Sequence, residues 1–441
     1  MKKITLLVLA FASALTYAQE TRYIGGDIST LPLYEQYNSA YKDVDGTNIS
    51  DLITWFVDKC GWNSFRVRIF VNPTKKNQDG STNPSVCQDL AFVTSLGQRI
   101  KAAGAYFMLD FHYSDTWVDA THIQAPGAWK GASDAAMPDS VGAYTRRVLT
   151  TLSEAGAAPD LVQVGNEIMY GLCGIKVAPY TRSGDNWEGY LGLLRAGCNA
   201  VREVCPDARI IIHTDRPTNS AYNNYYYNRL VNGGVDFDVI GLSYYPFWHG
   251  YLTDEQVASK SDKNNLVKAL NSLKNNFPAK KVHIVECAYN FQWWPSSGIN
   301  FDTQDVWPCS VAGQYAFVKD LVDALKPLTN VEGINYWFPE EAGNGDKGNV
   351  IPSWLNRGFW KEDKTQSGHA VNKTSSVSGT KTAADVCAPY YMGTFIEREG
   401  QDIESPSASE GAVPRPSKIL RDGQLFIEGG GARYSTDGKR L

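Results

Sequence analysis

Glu167 and Glu286 each close a run of apolar, β-branched residues, Leu161-Val-Gln-Val-Gly-Asn-Glu-Ile168 and Lys281-Val-His-Ile-Val-Glu286. Runs of this kind read as strands buried on both faces, and in a sheet built from them the ligand crevice lies beyond the carboxyl ends. Two carboxyl groups placed there can face each other across a bound sugar. One protonates the departing glycosidic oxygen while the other attacks the anomeric carbon or activates water. Where the second attacks directly, the two stand about 5 to 5.5 Å apart.

Other candidate strand ends carry polar and aromatic groups. Arg66 and Arg68 lie in Phe65-Arg-Val-Arg-Ile69, where alternate residues share a face. An Arg beside one carboxylate lowers its pKa and keeps it ionised for attack, whereas the acid needs a pKa raised by burial or a neighbouring charge. The competing reading of each Arg is a structural ion pair under the mouth of the sheet. Asp27 ends the first candidate strand; His112, Tyr113, Asp115 and Trp117 follow the third; His213 and Asp215 follow the fifth; Tyr244, Tyr245 and Trp248 follow the sixth; Trp337 ends the eighth. These supply hydrogen-bonding groups for sugar hydroxyls and flat faces for sugar rings. Asn166 is suited to a 2-hydroxyl. A lone Asn-Glu pair is weak evidence, and a lone His is as often a satisfied core residue; the coincidence of many strand ends is what points to a substrate site.

Eight strands are expected to hold these residues: Tyr23 to Asp27, Ser64 to Val71, Tyr106 to His112, Leu161 to Asn166, Arg209 to His213, Val239 to Ser243, Val282 to Glu286 and Gly333 to Trp337. Helical periodicity fills the intervals, with Leu90, Val93, Leu96 and Ile100 on one face and Tyr190, Leu191, Leu194, Cys198 and Val201 on another. Cap-forming residues at Thr47 to Ser50 precede Leu52, Ile53, Phe56 and Val57. Eight alternations predict an α/β fold, a (β/α)8 TIM barrel with extended loops on its active face and a short C-terminal tail. A doubly wound sheet is the rival, but Gly25-Gly26-Asp27 is not its phosphate turn.

Residues 1–18 have the three regions of an export signal: Met1-Lys-Lys3, the apolar Ile4 to Leu15, then Thr16-Tyr17-Ala18. The catalytic domain is expected over 19–398, with a last helix around Ala383 to Glu397, a linker over 399–416 and a tail over 417–441 in which Gln424 to Glu428 and Arg433 to Ser435 form a hairpin. Its Ile419-Leu-Arg-Asp-Gly-Gln-Leu-Phe-Ile427 resembles short tails of exported bacterial proteins, some of which act in sorting to the cell surface. A net charge of -5 gives no reason to bind nucleic acid or anionic lipid. No later stretch is long and apolar enough to span a membrane, so the exported product is expected to be a soluble monomer, periplasmic, cell-surface or secreted. Eight Cys in an exported chain suggest disulfides, with Cys198 and Cys205, and Cys287 and Cys309, as possible pairs. Cys and His spacings typical of zinc are absent.

The runs Phe65 to Pro73, Leu109 to Trp117, Val162 to Ile168, His213-Thr-Asp215 and, above all, Asp238-Val-Ile-Gly-Leu-Ser-Tyr-Tyr-Pro-Phe-Trp-His-Gly250 resemble the family 53 glycoside hydrolases, the arabinogalactan endo-β-1,4-galactanases. The resemblance covers about Tyr23 to Trp360. It implies a (β/α)8 barrel, a retaining mechanism and a β-1,4-galactan substrate from pectin side chains. Its acid/base falls on Glu167 and its nucleophile on Glu286. Met169-Tyr-Gly-Leu-Cys173 and Cys287-Ala-Tyr-Asn-Phe-Gln-Trp-Trp294 depart from the family pattern and bear on the outer sugar subsites. No cofactor is implied. Some bacterial relatives hold a structural calcium, for which Asp302, Asp305, Asn344 and Asp346 offer oxygens without a specifying spacing. The alternatives are a related barrel hydrolase acting on mannan or β-glucan, and a carbohydrate-binding protein without turnover.

Overall fold

The computed structural model describes residues 22–36, 41, 43, 47–77, 80–178, 184–291, 298–341 and 357–360, with strand backbone at 417–421, 424–429 and 432–434. The export signal, Trp293-Trp294, Asn344, Asp346, the helix expected over Ala383 to Glu397 and the linker lie outside these residues.

Eight strands pair in parallel and close on themselves: β1 Tyr23–Asp27, β2 Ser64–Ile69, β3 Tyr106–Phe111, β4 Leu161–Val164, β5 Arg209–Thr214, β6 Val239–Tyr244, β7 Lys281–Cys287 and β8 Val331–Trp337. Each strand pairs with its neighbours in sequence, and β8 closes on β1. Helices fill the crossovers: α1 Leu31–Gln36, α2 Leu52–Cys60, α3 Leu90–Ala102, α4 Met137–Glu154, α5 Trp187–Val204, α6 Ser220–Asn232, α7 Pro246–His249, α8 Leu266–Asn276 and α9 Val311–Leu325. This is the expected (β/α)8 barrel. The cap of α2 is Asp51, one residue past the expected cluster; its carboxylate accepts the Thr54 N–H at 2.7 Å.

Two layers fill the barrel. Met108, Leu161, Ile211, Val239 and Val285 form an apolar plug with Tyr23 toward the amino ends of the strands. Two residues further along β3, β4 and β5 the inward positions turn polar, at Asp110, Gln163 and His213, and the layer is completed by Arg66 on β2 and by Ser243, four residues past Val239 on β6. The helix-facing positions, such as Val162 and Val164, join the larger core.

Two strand ends depart from a plain ladder. β4 stops at Val164, short of the expected Asn166, because Gly165 takes φ 94° and Glu167 itself φ 47°. In β7 the register against β6 slips after Ile284, so that Ser243 faces Glu286 and Tyr244 faces Cys287. Without that bulge the alternation that turns His283 and Val285 inward would aim Glu286 at the helices.

The chain divides after Ile396 into two compact units. The second is a three-stranded antiparallel sheet, β9 Ser417–Arg421, β10 Gln424–Gly429 and β11 Ala432–Tyr434, in which the first strand was not expected from sequence. Among the described residues no helix is long and apolar enough to cross a membrane, and no two cysteines are joined. Neither suggested disulfide forms. Cys198 is buried on the inner face of α5 while Cys205 contacts Ser153, and the Cys287 thiol donates to the Asn335 carbonyl.

Candidate active site

Arg66 is the hub of the polar layer. Its guanidinium reaches Asp27 Oδ2 at 2.7 Å, Asp110 Oδ2 and Glu286 Oε1 at 2.8 Å each, Asn166 Oδ1 at 2.9 Å and Gln163 Oε1 at 3.2 Å. Burial works against the charge, but Asp110, Glu286 and Asp27 together hold Arg66 protonated. The structural ion pairs with Asp27 and Asp110 and the contact with Glu286 thus share one guanidinium.

Glu286 is buried, with Oε1 on Arg66 and Oε2 accepting the Tyr245 hydroxyl at 2.7 Å. Its carboxyl is pushed above the ordinary range by burial, against the pull of Arg66 and Tyr245. This corrects the expectation of a lowered pKa: Asp27 and Asp110 share the same guanidinium and repel a third carboxylate.

Glu167 is half-buried, and its Oε1 accepts the Ser243 hydroxyl at 2.6 Å. Burial, then Asp215 and Glu286, raise its pKa well above the usual value. Of the two, Glu167 is pushed further, by burial and then by Asp215 and Glu286, whereas Arg66 and Tyr245 pull Glu286 back. A carboxyl of raised proton affinity after β4 and an Arg-held carboxyl on β7 make the unlike pair that glycosidic cleavage requires.

His213 is fully buried and kept neutral by burial and by Arg66. Its Nε2 lies 2.8 Å from Ser243 Oγ. Asn166 donates from Nδ2 to the Val118 carbonyl, which fixes its oxygen on Arg66. His112 holds Asp110 through Nε2 at 3.0 Å, and burial keeps its ring below the ordinary pKa. Arg68 sits behind, 3.7 Å from Asp27, donating to the Ser85 carbonyl and lying 5.2 Å from the Trp117 ring centre.

Trp337 meets Tyr245 and Trp117 edge-on, and Arg357 lies over its ring at 4.3 Å. One face of the indole is thereby covered by a cation, and Phe338 packs edge-on against the ring at 4.4 Å. Trp248 packs on Tyr245 and donates to the Gly298 carbonyl. Asp215 pairs with Arg216 at 3.0 Å, and burial raises it to about 6.

Two sequence candidates have other occupations. Both carboxylate oxygens of Asp115 accept main-chain N–H groups, from Asn72 and Gly127, so it fastens loops. Tyr244 alternates away from Tyr245, donates to the Gly250 carbonyl and stacks on Phe317 of α9. Asp110, Gln163 and Ser243 were missed. Asp110 and Gln163 each interrupt an apolar run, Leu109-Asp-Phe111 and Val162-Gln-Val164, and a polar residue inside a strand buried on both faces was the available signal.

Among the described residues no group of three or more His, Cys, Asp or Glu is placed to hold a metal. Asp305 of the suggested calcium set instead pairs with Lys260 and accepts the Tyr251 hydroxyl.

The profile of glycosyl hydrolase family 53 matches residues 23–383. The arabinogalactan endo-beta-1,4-galactanase A of Emericella nidulans is 32% identical over 364 residues, covering 80% of this chain and 94% of its own. A probable arabinogalactan endo-beta-1,4-galactanase A of Aspergillus fumigatus is 31% identical over 353 residues, covering 76% and 90%. Among solved structures, the GH53 catalytic domain of Ignisphaera aggregans superposes with a TM-score of 0.67 at 27% identity, over 83% of this chain and 95% of that one.

Proposed function

The chain belongs to glycosyl hydrolase family 53 and is a glycosidase of the endo-β-1,4-galactanase type; on that premise we propose that Glu286 attacks and Glu167 protonates, with net retention at the anomeric carbon. The observation that carries the reading is the asymmetric pair itself. Glu286 is held by Arg66 and Tyr245 with an oxygen on each, while the half-buried Glu167 lies among other acids with one oxygen on Ser243. As Glu286 bonds to the anomeric carbon, the glycosidic bond breaks and its oxygen takes the Glu167 proton; water then attacks the same carbon, gives a proton to Glu167, and the bond to Glu286 breaks to free its carboxylate. Two carboxyls and water balance this reaction without a cofactor.

Around the pair, Asp27, Arg66, Arg68, His112, Asn166 and His213 form the floor, with Trp117, Tyr245, Trp248 and Trp337 as aromatic walls and Asp215 behind Glu167. The substrate is the β-1,4-galactan of pectin side chains, met by a monomer exported under the signal at residues 1–18. Reducing-sugar release from galactan, mannan and β-glucan, measured side by side, tests substrate choice; release from mannan or β-glucan equal to that from galactan would overturn it. Proton NMR of the newly formed reducing end tests stereochemistry. A β-anomer formed first is expected, and an α-anomer formed first would make the mechanism inverting.

A further inference from the structure

A protonated carboxyl is useful as an acid only if its hydrogen sits on the oxygen that faces the bond to be broken. The main-chain N–H of Glu167 can only donate, and its partner is His213 Nδ1 at 3.3 Å. Gln163 Nε2 is a second donor to that nitrogen at 3.1 Å, and the Asn166 oxygen at the same distance is already engaged by Arg66. Nδ1 therefore accepts, and a neutral ring then carries its hydrogen on Nε2. That hydrogen faces Ser243 Oγ at 2.8 Å, which turns the hydroxyl's own hydrogen to Glu167 Oε1 at 2.6 Å.

We infer that Ser243 and His213 are positioning residues that keep the acid's proton on Oε2 of Glu167, through a ring of hydrogen bonds that leaves from the Glu167 main chain and returns to its side chain. This deepens the reading of Glu167 as acid/base and rests on it. Oε1 is occupied as an acceptor in both protonation states. When the glycosidic bond breaks, its electron pair goes to the leaving oxygen, the hydrogen leaves Oε2 for that oxygen, and Glu286 bonds to the anomeric carbon. The Ser243 hydrogen stays where it was. In the second half-reaction water bonds to the anomeric carbon as the bond to Glu286 breaks, Oε2 takes the water's proton, and the ring is again undisturbed.

The charged surroundings set the direction of the test. Asp215 after β5, Glu286 on β7 and Asp119 in the loop after β3 face Glu167 and raise its proton affinity, and the Ser243 hydrogen bond lowers it. Arg66, Asp110 and His112 face His213. Removing the hydroxyl therefore raises the pKa of Glu167, and the alkaline limb of activity moves to higher pH.

The experiment compares wild type, Ser243→Ala and Glu167→Ala on β-1,4-galactan and on a 2,4-dinitrophenyl β-galactobioside, whose leaving group needs no proton. Ser243→Ala is expected to lose about tenfold in kcat/KM on galactan and little on the aryl substrate, with the alkaline limb on galactan displaced upward by about 1 pH unit. Equal losses on the two substrates, or an unmoved limb, overturn the inference. If Ser243→Ala does not fold, Ser243→Cys, a weaker donor of similar size, must move the same limb the same way by less. Glu167→Ala tests the underlying assignment separately, since it must lose galactan far more than the aryl galactobioside. Loss of both alike would remove Glu167 from the acid/base role whatever Ser243 does.

Discussion

Glu286 is anchored on both oxygens, and replacing it with Gln keeps the Tyr245 contact while removing the negative charge that Arg66 answers. Glu286→Gln should abolish nearly all turnover, and Glu167→Gln should lower kcat on galactan by about 1,000-fold, with thermal unfolding little changed in either. Near-normal turnover in one of these variants would take that residue out of the chemistry. Trp337 is a platform candidate one contact from the pair, since it touches Tyr245, which itself touches Glu286. Trp337→Ala should lower kcat/KM on galactan by about tenfold or more, a larger loss than Trp293→Ala or Trp294→Ala, which should chiefly raise KM on long chains. Equal losses at the three positions would place the sugar beside the cleaved bond on a different ring.

At the scale of elements, the acid's position depends on how α5 lies on β4. A side chain added at Gly197 would come within 2.8 Å of the Val164 methyl, on the strand that leads into Glu167. Gly197→Ala should cost about 1–3 kcal/mol in denaturant unfolding and lower kcat more than it raises KM; a neutral result would mean that α5 can shift without moving β4. The eight strands were legible because parallel strands buried on both faces leave unbroken runs of Val, Ile and Leu, as in Arg209-Ile-Ile-Ile-His213. Two decisive features were not. The slip that turns Glu286 inward is a property of pairing between β6 and β7, and nothing in Val282 to Glu286 encodes it locally. The early end of β4 was only hinted at by Gly165, and the left-handed backbone at Glu167 is imposed from outside. Among site residues, Asp115 and Tyr244 misled because strand-end position does not say whether a carboxylate has main-chain partners or which way a tyrosine alternates.

For the molecule as a whole, the buried acids set a pH dependence of stability. Glu340 is fully buried, its Oε1 accepts the Thr30 N–H and hydroxyl, and burial followed by Asp27 raises its pKa to about 8. The folded protein thus retains a proton that the unfolded chain releases near the ordinary glutamate value. Its contribution is fully present below that value and is lost as pH rises toward about 8. Between about pH 5 and 8 this one group should make stability fall by about 1.4 kcal/mol per pH unit, and Glu340→Gln should remove that component from unfolding free energies measured across the range. An unchanged slope in the variant would show that Glu340 is ionised in the folded state.

The turn that follows Glu167 is tied to the helical shell: Tyr190 of α5 donates to the Ile168 carbonyl while contacting the Tyr226 hydroxyl, and Tyr222 of α6 donates to the Met169 carbonyl, both at 2.9 Å. These hydroxyls are buried, so the turn cannot open by itself without stranding them away from water. Local breathing at the acid is therefore coupled to breathing of the outer helices, and the amide hydrogens of Glu167 and Gly171, which bond to His213 Nδ1 and to the Ile168 carbonyl, should exchange as slowly as those of the barrel strands, not at loop rates. The same coupling means that heating should extinguish turnover and helical ellipticity at one temperature. A loss of activity well before the loss of ellipticity would show that the acid's turn melts on its own.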